Sequence, residues 1–76
     1  MTLKEFFTSL SPSERIAFAA RCDTSDRHIR NIAFYGKTCG EYLAINIERE
    51  SNRKVRCEDL RPDVDWQFLR GTKKAA

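Results

Sequence analysis

The part of this chain that most restricts its fold runs from Phe18 to Thr38 (FAARCDTSDRHIRNIAFYGKT), where a small residue, a turn former and two aliphatic anchors stand at fixed separations. Ala19 precedes Asp23 by four residues and Ile29 by ten, and Ile32 follows three residues later. That spacing suits two short helices joined by a tight turn. Ala19 lets the helices approach closely, and Cys22, Ile29 and Ile32 fill the angle between them. Asp23 falls at the turn position that needs a positive φ, which Asp tolerates better than most residues other than Gly. Thr24 or Ser25 then caps the second helix, leaving a hydroxyl and the positive helix end free to face an anion.

With Ile29 and Ile32 turned inward, Ser25, Asp26, Arg27, Arg30 and Asn31 project outward, and Tyr35 and Lys37 lie near the far end. These groups suit double-stranded DNA. Arg can grip guanine as a bidentate fork, Asn can do the same to adenine, and Lys neutralises a phosphate whatever the sequence. The outward set Ser25, Asp26, Arg27, Arg30 and Asn31 is therefore expected at base edges. Arg15, Arg21, Tyr35, Lys37 and Thr38 are expected at phosphates. Asp26 also fits a simpler role, favouring the positive start of its helix. His28 has no acidic or metal-binding neighbour in the sequence and is assigned no chemistry.

The flanking segments supply the rest of a helical core. Thr2 and Glu5 stand in the capping-box relation, so a first helix starts at Thr2 and buries Leu3, Phe6, Phe7 and Leu10. Ser11, Pro12 and Glu14 open a second helix that runs to about Arg21, with Ile16, Ala19 and Ala20 inward and Phe18 free to face either way. The third helix spans Ser25 to Phe34 and stops near Gly36. Thr38 and Glu41 repeat the capping-box spacing and predict a fourth helix to about Ser51, with Leu43, Ala44 and Ile47 on one face and Asn52 as its stop. A turn at Cys57 to Leu60 then leads into an irregular tail, because Arg61 before Pro62 is extended. Val64, Trp66, Phe68 and Leu69 make that tail apolar enough to close the core or to meet a partner subunit, and residues 71–76 form a frayed basic end.

Seventy-six residues make one small domain, here residues 1–70. A net charge of +3 permits an anionic partner without requiring one. Cys22, Cys39 and Cys57 are an odd set without the close pairs of zinc sites, which points to reduced thiols, no metal and a cytoplasmic location. No apolar run is long enough for a membrane span or a signal-peptide core. One His, scattered acids and thiols without a paired base supply no nucleophile or Gly-rich phosphate loop, so an enzyme, a cofactor and a small-molecule substrate are not expected.

Several runs carry a family resemblance: Leu10-Ser11-Pro12 with Glu14-Arg15, Phe18-Ala19, Arg21-Cys22, Thr24-Ser25, Ile29-Arg30-Asn31-Ile32-Ala33, Leu43-Ala44, Ile47-Glu48, and Asp59-Leu60-Arg61-Pro62-Asp63 before Trp66. From Leu3 to Trp66 the chain thus resembles the small Cro-like and YdaS-type phage and prophage DNA-binding domains. The resemblance implies an all-α, four- to five-helix, lambda-repressor-like helix-turn-helix domain with a C-terminal tail. It also implies a transcriptional repressor that binds a palindromic operator as a homodimer and reads it with the Ser25 to Phe34 helix. The alternative is an antitoxin or interaction module whose apolar tail, Val64, Trp66, Phe68 and Leu69, binds a toxin or polymerase.

Overall fold

The computed structural model describes residues 1–70, without the side chains of residues 69 and 70. The basic end expected at 71–76 and the contact expected of the Leu69 side chain lie outside the described residues. The described chain is all-helical: α1 (Leu3–Thr8), α2 (Pro12–Arg21), α3 (Asp26–Tyr35), α4 (Glu41–Glu50), α5 (Cys57–Leu60) and α6 (Trp66–Arg70). Both α1 and α2 pack on α3, while α4 packs on α2 and α5.

Local sequence sets most of the helix ends. Thr2 and Glu5 close a reciprocal capping box on α1, and Ser11 and Glu14 close one on α2 with Pro12 in the first turn. Asp23 takes the turn at φ 62°, as the spacing predicts. Gly36 ends α3 at φ 70°, where its N–H bonds back to the Asn31 carbonyl.

One core joins the helices. Leu3, Phe6, Phe7, Phe18, Ala19, Cys22 and Ile29 are buried at the α1–α2–α3 junction, with the Phe6 and Phe18 ring centroids 5.1 Å apart. Cys39, Ala44, Ile47, Val55, Cys57 and Trp66 continue the core toward the C-terminus.

Three expectations are corrected, and one left open is decided. Ile16 is 59% exposed and Ala20 is also exposed, because α2 turns its Phe18, Ala19 and Cys22 edge inward. At about 100° per residue, Ile16 and Ala20 fall more than roughly 100° from the centre of that edge, and burial of the larger Phe18 ring decides the rotation. Thr38 does not cap α4. The cap is Gly40, without a side-chain hydrogen bond, since burial of Cys39 in the core leaves Thr38 two residues short of the cap position. The tail is not irregular: one turn of helix forms at α5 and another short helix at α6, giving six helices among the described residues. Trp66 takes the role of core lid, 4% exposed, with its indole N–H donating to the Arg61 carbonyl at 2.6 Å.

Candidate nucleic-acid interface

The second helix of the α2–turn–α3 hairpin carries the outward groups. Ser25 ends the turn as the cap of α3, its hydroxyl accepting from the His28 N–H at 3.2 Å. Three side chains follow on the far side of buried Ile29: Arg27 and Arg30 are exposed and Asn31 is half-buried. Arg27 has no ion pair or hydrogen bond through its side chain among the described residues. Arg30 lies 4.0 Å from the Asp26 carboxylate one turn earlier, a loose pair with both groups well exposed. Such a pair is worth at most a few tenths of a kcal/mol, about 0.3–0.5 on a helix, so Arg30 is free to exchange it for another acceptor. Asp26 thus serves both the helix start and Arg30.

The residues expected at phosphates divide into two groups. Tyr35, Lys37 and Thr38 are exposed at and beyond the C-terminal end of α3, with Lys37 and Thr38 on the rim of a cleft of about 540 Å³ beside α1. Arg15 and Arg21 are already engaged. The Arg15 Nε donates to the Phe7 carbonyl at 2.9 Å and its guanidinium lies 5.1 Å from the centroid of the Phe7 ring, which ties α2 to the end of α1. Arg21 pairs with Glu50 at 3.2 Å and lies over Phe18, linking α2 to α4.

Two residues that sequence reasoning passed over hold this surface in place. Asn46, 8% exposed on α4, donates through Nδ2 to the Cys22 carbonyl at 3.2 Å and accepts from Arg49 at 2.8 Å. It thereby fixes the end of α2 just where the turn begins. Its signal was an amide inside the apolar Leu43–Ala44–Ile47 stretch. Arg61 donates to the Cys39 carbonyl at 2.9 Å, to both Asp63 oxygens at 2.9 and 2.8 Å, and to Glu41 at 3.4 Å. It clasps the α3–α4 connection that bears Lys37 and Thr38. The Arg61 hydrogen bonds hold the Asp63 carboxyl below its usual range and push the guanidinium's own affinity for its proton still higher. Its signal was an Arg and an Asp two residues apart around Pro62.

Cys22, Cys39 and Cys57 are buried and form no disulfide among the described residues. Burial pushes the Cys22 thiol up to about 11 and raises Cys39 as well, so both stay protonated at neutral pH. No helix among the described residues is long and apolar enough to cross a membrane.

Fold and surface together define a small all-α domain of helix-turn-helix form whose second hairpin helix displays guanidinium and amide groups. No family model matches the chain. A stretch of 24 residues is 58% identical to an Escherichia coli K12 protein named "Putative transcriptional regulator YdaS". The stretch is 32% of this chain, and the chain covers about a quarter (24%) of YdaS.

Proposed function

We propose that this protein is a DNA-binding transcription regulator that lays α3 in the major groove. The observation that carries the proposal is the exposure of Arg27 and Arg30 on a helix that buried Ile29 holds against α1 and α2. A rigid helix bearing free Arg and Asn groups can read base edges, while Lys37 and Thr38 at its far end reach phosphates. The name of the partial relative supports regulation as the role. In the finer form of the proposal, the protein is a Cro-type repressor acting in the cytoplasm and binding a palindromic operator as a homodimer. Its half-sites then lie about 34 Å, one DNA turn, apart.

Selection of bound sequences from random duplex DNA tests both levels. A recovered inverted repeat with that spacing supports the dimeric repressor, a single half-site supports regulation by a monomer, and no enrichment refutes sequence reading altogether. In binding assays Arg30→Ala should lose about 1–3 kcal/mol of discrimination between operator and random DNA, and Lys37→Ala should weaken both alike. Equal losses on the two DNAs for both variants would overturn the division of roles.

A further inference from the structure

Away from α3, a groove of about 480 Å³ opens between the C-terminal part of α4 and the α5–α6 segment. Ile45, 43% exposed, and the edge of Trp66 give it an apolar floor. Its rim is basic. Arg49 shares Glu50 and Asn46 as partners, and Arg53 has no side-chain partner among the described residues. The Glu48 carboxylate, also on the lining, is engaged by the Cys57 N–H at 2.8 Å and by Arg56.

The backbone at the rim is also unusual. Asn52 and Arg53 are consecutive non-glycine residues in the left-handed region, at φ 56° and 64°. Asn tolerates that region, but Arg is disfavoured there by crowding of its Cβ against the carbonyl. A glycine would sit there without strain. What the Arg adds is a guanidinium at the groove mouth.

The complementary groups lie on α6 and at the residue just before it. Phe68 is 77% exposed, and Asp65 is exposed with one oxygen accepting from the Phe68 N–H at 3.3 Å. Phe68 follows Trp66 by two residues, roughly 200° around the helix, so it points away from the groove that Trp66 lines and cannot fill it in the same chain. We propose that the groove receives α6 of a second copy of this chain, Phe68 seating on Ile45 and Trp66 with Asp65 against Arg53. Because each copy carries both the groove and the inserted side chain, a two-fold axis satisfies both at once. This surface gives the dimer of the proposed function its contact, and so rests on that reading. Each inserted ring buries on the order of 150–250 Å². The whole contact therefore falls in the small class, below about 1,200 Å², which suits a weak dimer.

Sedimentation equilibrium without DNA, extended to millimolar protein by NMR line widths, tests the contact. The wild type should show a concentration-dependent dimer, and Phe68→Ser should weaken it about tenfold or more, with the thermal midpoint unchanged because the ring is exposed. Arg53→Gly separates the contact from folding: it should raise the monomer's thermal midpoint by removing strain, yet weaken dimerisation about threefold or more. A double-mutant cycle of Arg53→Ala with Asp65→Asn, which keeps the α6 cap, should show smaller than additive losses. A wild type monomeric at millimolar concentration, a dimer unaffected by Phe68→Ser, or additive losses in the cycle would each overturn the proposal, and so would a monomer that instead takes an acidic, apolar peptide in this groove. Half-site DNA binding, measured alongside, should be unchanged in Phe68→Ser. If the wild type binds no DNA yet dimerises as described, DNA reading fails and this contact stands.

Discussion

Removal of the Asn46 amide should show how firmly the turn between α2 and α3 is held from outside the hairpin. In Asn46→Ala the Cys22 carbonyl loses its 3.2 Å donor inside the core, and Arg49 loses an acceptor at 2.8 Å. The first loss dominates. A buried acceptor left without a donor costs about 1–3 kcal/mol, whereas Arg49 is exposed and keeps Glu50. At about 4–8 °C per kcal/mol for a domain of this size, a loss of about 2 kcal/mol lowers the thermal midpoint by roughly 8–16 °C, followed by circular dichroism. Asn46→Asp is the sharper control. It keeps the volume and still accepts from Arg49, but an ionised carboxylate cannot donate to Cys22 and places a second acceptor against its carbonyl. It should therefore be no more stable than the Ala variant at pH 7 and should regain stability as acid protonates it. A midpoint for Asn46→Ala within about 2 °C of wild type, or an Asp variant as stable as Asn, would refute the reasoning.

Three further outcomes follow from local geometry. Gly36→Ala should destabilise the protein by about 1–2 kcal/mol, because the residue sits at φ 70° with no atom near enough to clash with an added Cβ; denaturant melts showing no loss would contradict the left-handed cap. Hydrogen bonds from the capping residues Thr2 and Ser11 hold the Glu5 and Glu14 carboxyls below their usual range, and Arg61 does the same for Asp63. Lowered carboxyl values contribute stability that is full above the unfolded value, about 4.3 for Glu and 3.9 for Asp, and is lost as pH falls through the lower folded values, so Glu14→Gln should flatten the acid limb of a stability–pH profile. An unchanged limb would remove the Ser11–Glu14 box from the account. A disulfide thiol reagent at pH 8 should modify Cys22 and Cys39 at the rate of unfolding, because both are buried and protonated; rapid native labelling would count against their burial.

What the sequence disclosed and what it hid divide along the range of the interactions. Caps and turns made within four residues were legible at Thr2, Ser11, Asp23 and Gly36, and between Thr24 and Ser25 for α3, since each depends on its own neighbours. The third capping-box match, Thr38 with Glu41, has the same local spacing and fails. Burial of Cys39 and the reach of Arg61 across 22 residues fix that segment instead, and no local pattern reports either. Rotation of α2 was misjudged for a related reason: Ile16 and Phe18 compete for one core, and the winner depends on where Phe6 stands. The outward set on α3 was more readable, because Ile29 fixes that helix's phase and few distant contacts compete for its other faces.

The basic residues show the same division and bear directly on function. From sequence, Arg27 and Arg30 are placed at base edges and Arg15, Arg21 and Lys37 at phosphates, and Arg61 is given no contact of its own. In the fold, Arg15, Arg21 and Arg61 fasten α1 to α2, α2 to α4, and the α3–α4 connection to the tail, respectively. Of these six, the cations that hold nothing firmly are Arg27, Arg30 and Lys37, all on α3 or just past its end. A cation already bound to a carbonyl or carboxylate must break that contact before it can neutralise a phosphate, and it then contributes less to counterion release than a free one. If the protein reads DNA as proposed, the salt dependence of its affinity should accordingly be shallower than a count of surface Lys and Arg implies. Arg21→Gln should weaken binding mainly by loosening α2 from α4, leaving the salt slope almost unchanged, whereas Lys37→Gln should lower the slope by about 0.9 per subunit. A slope change of that size in Arg21→Gln, with none in Lys37→Gln, would reverse the assignment.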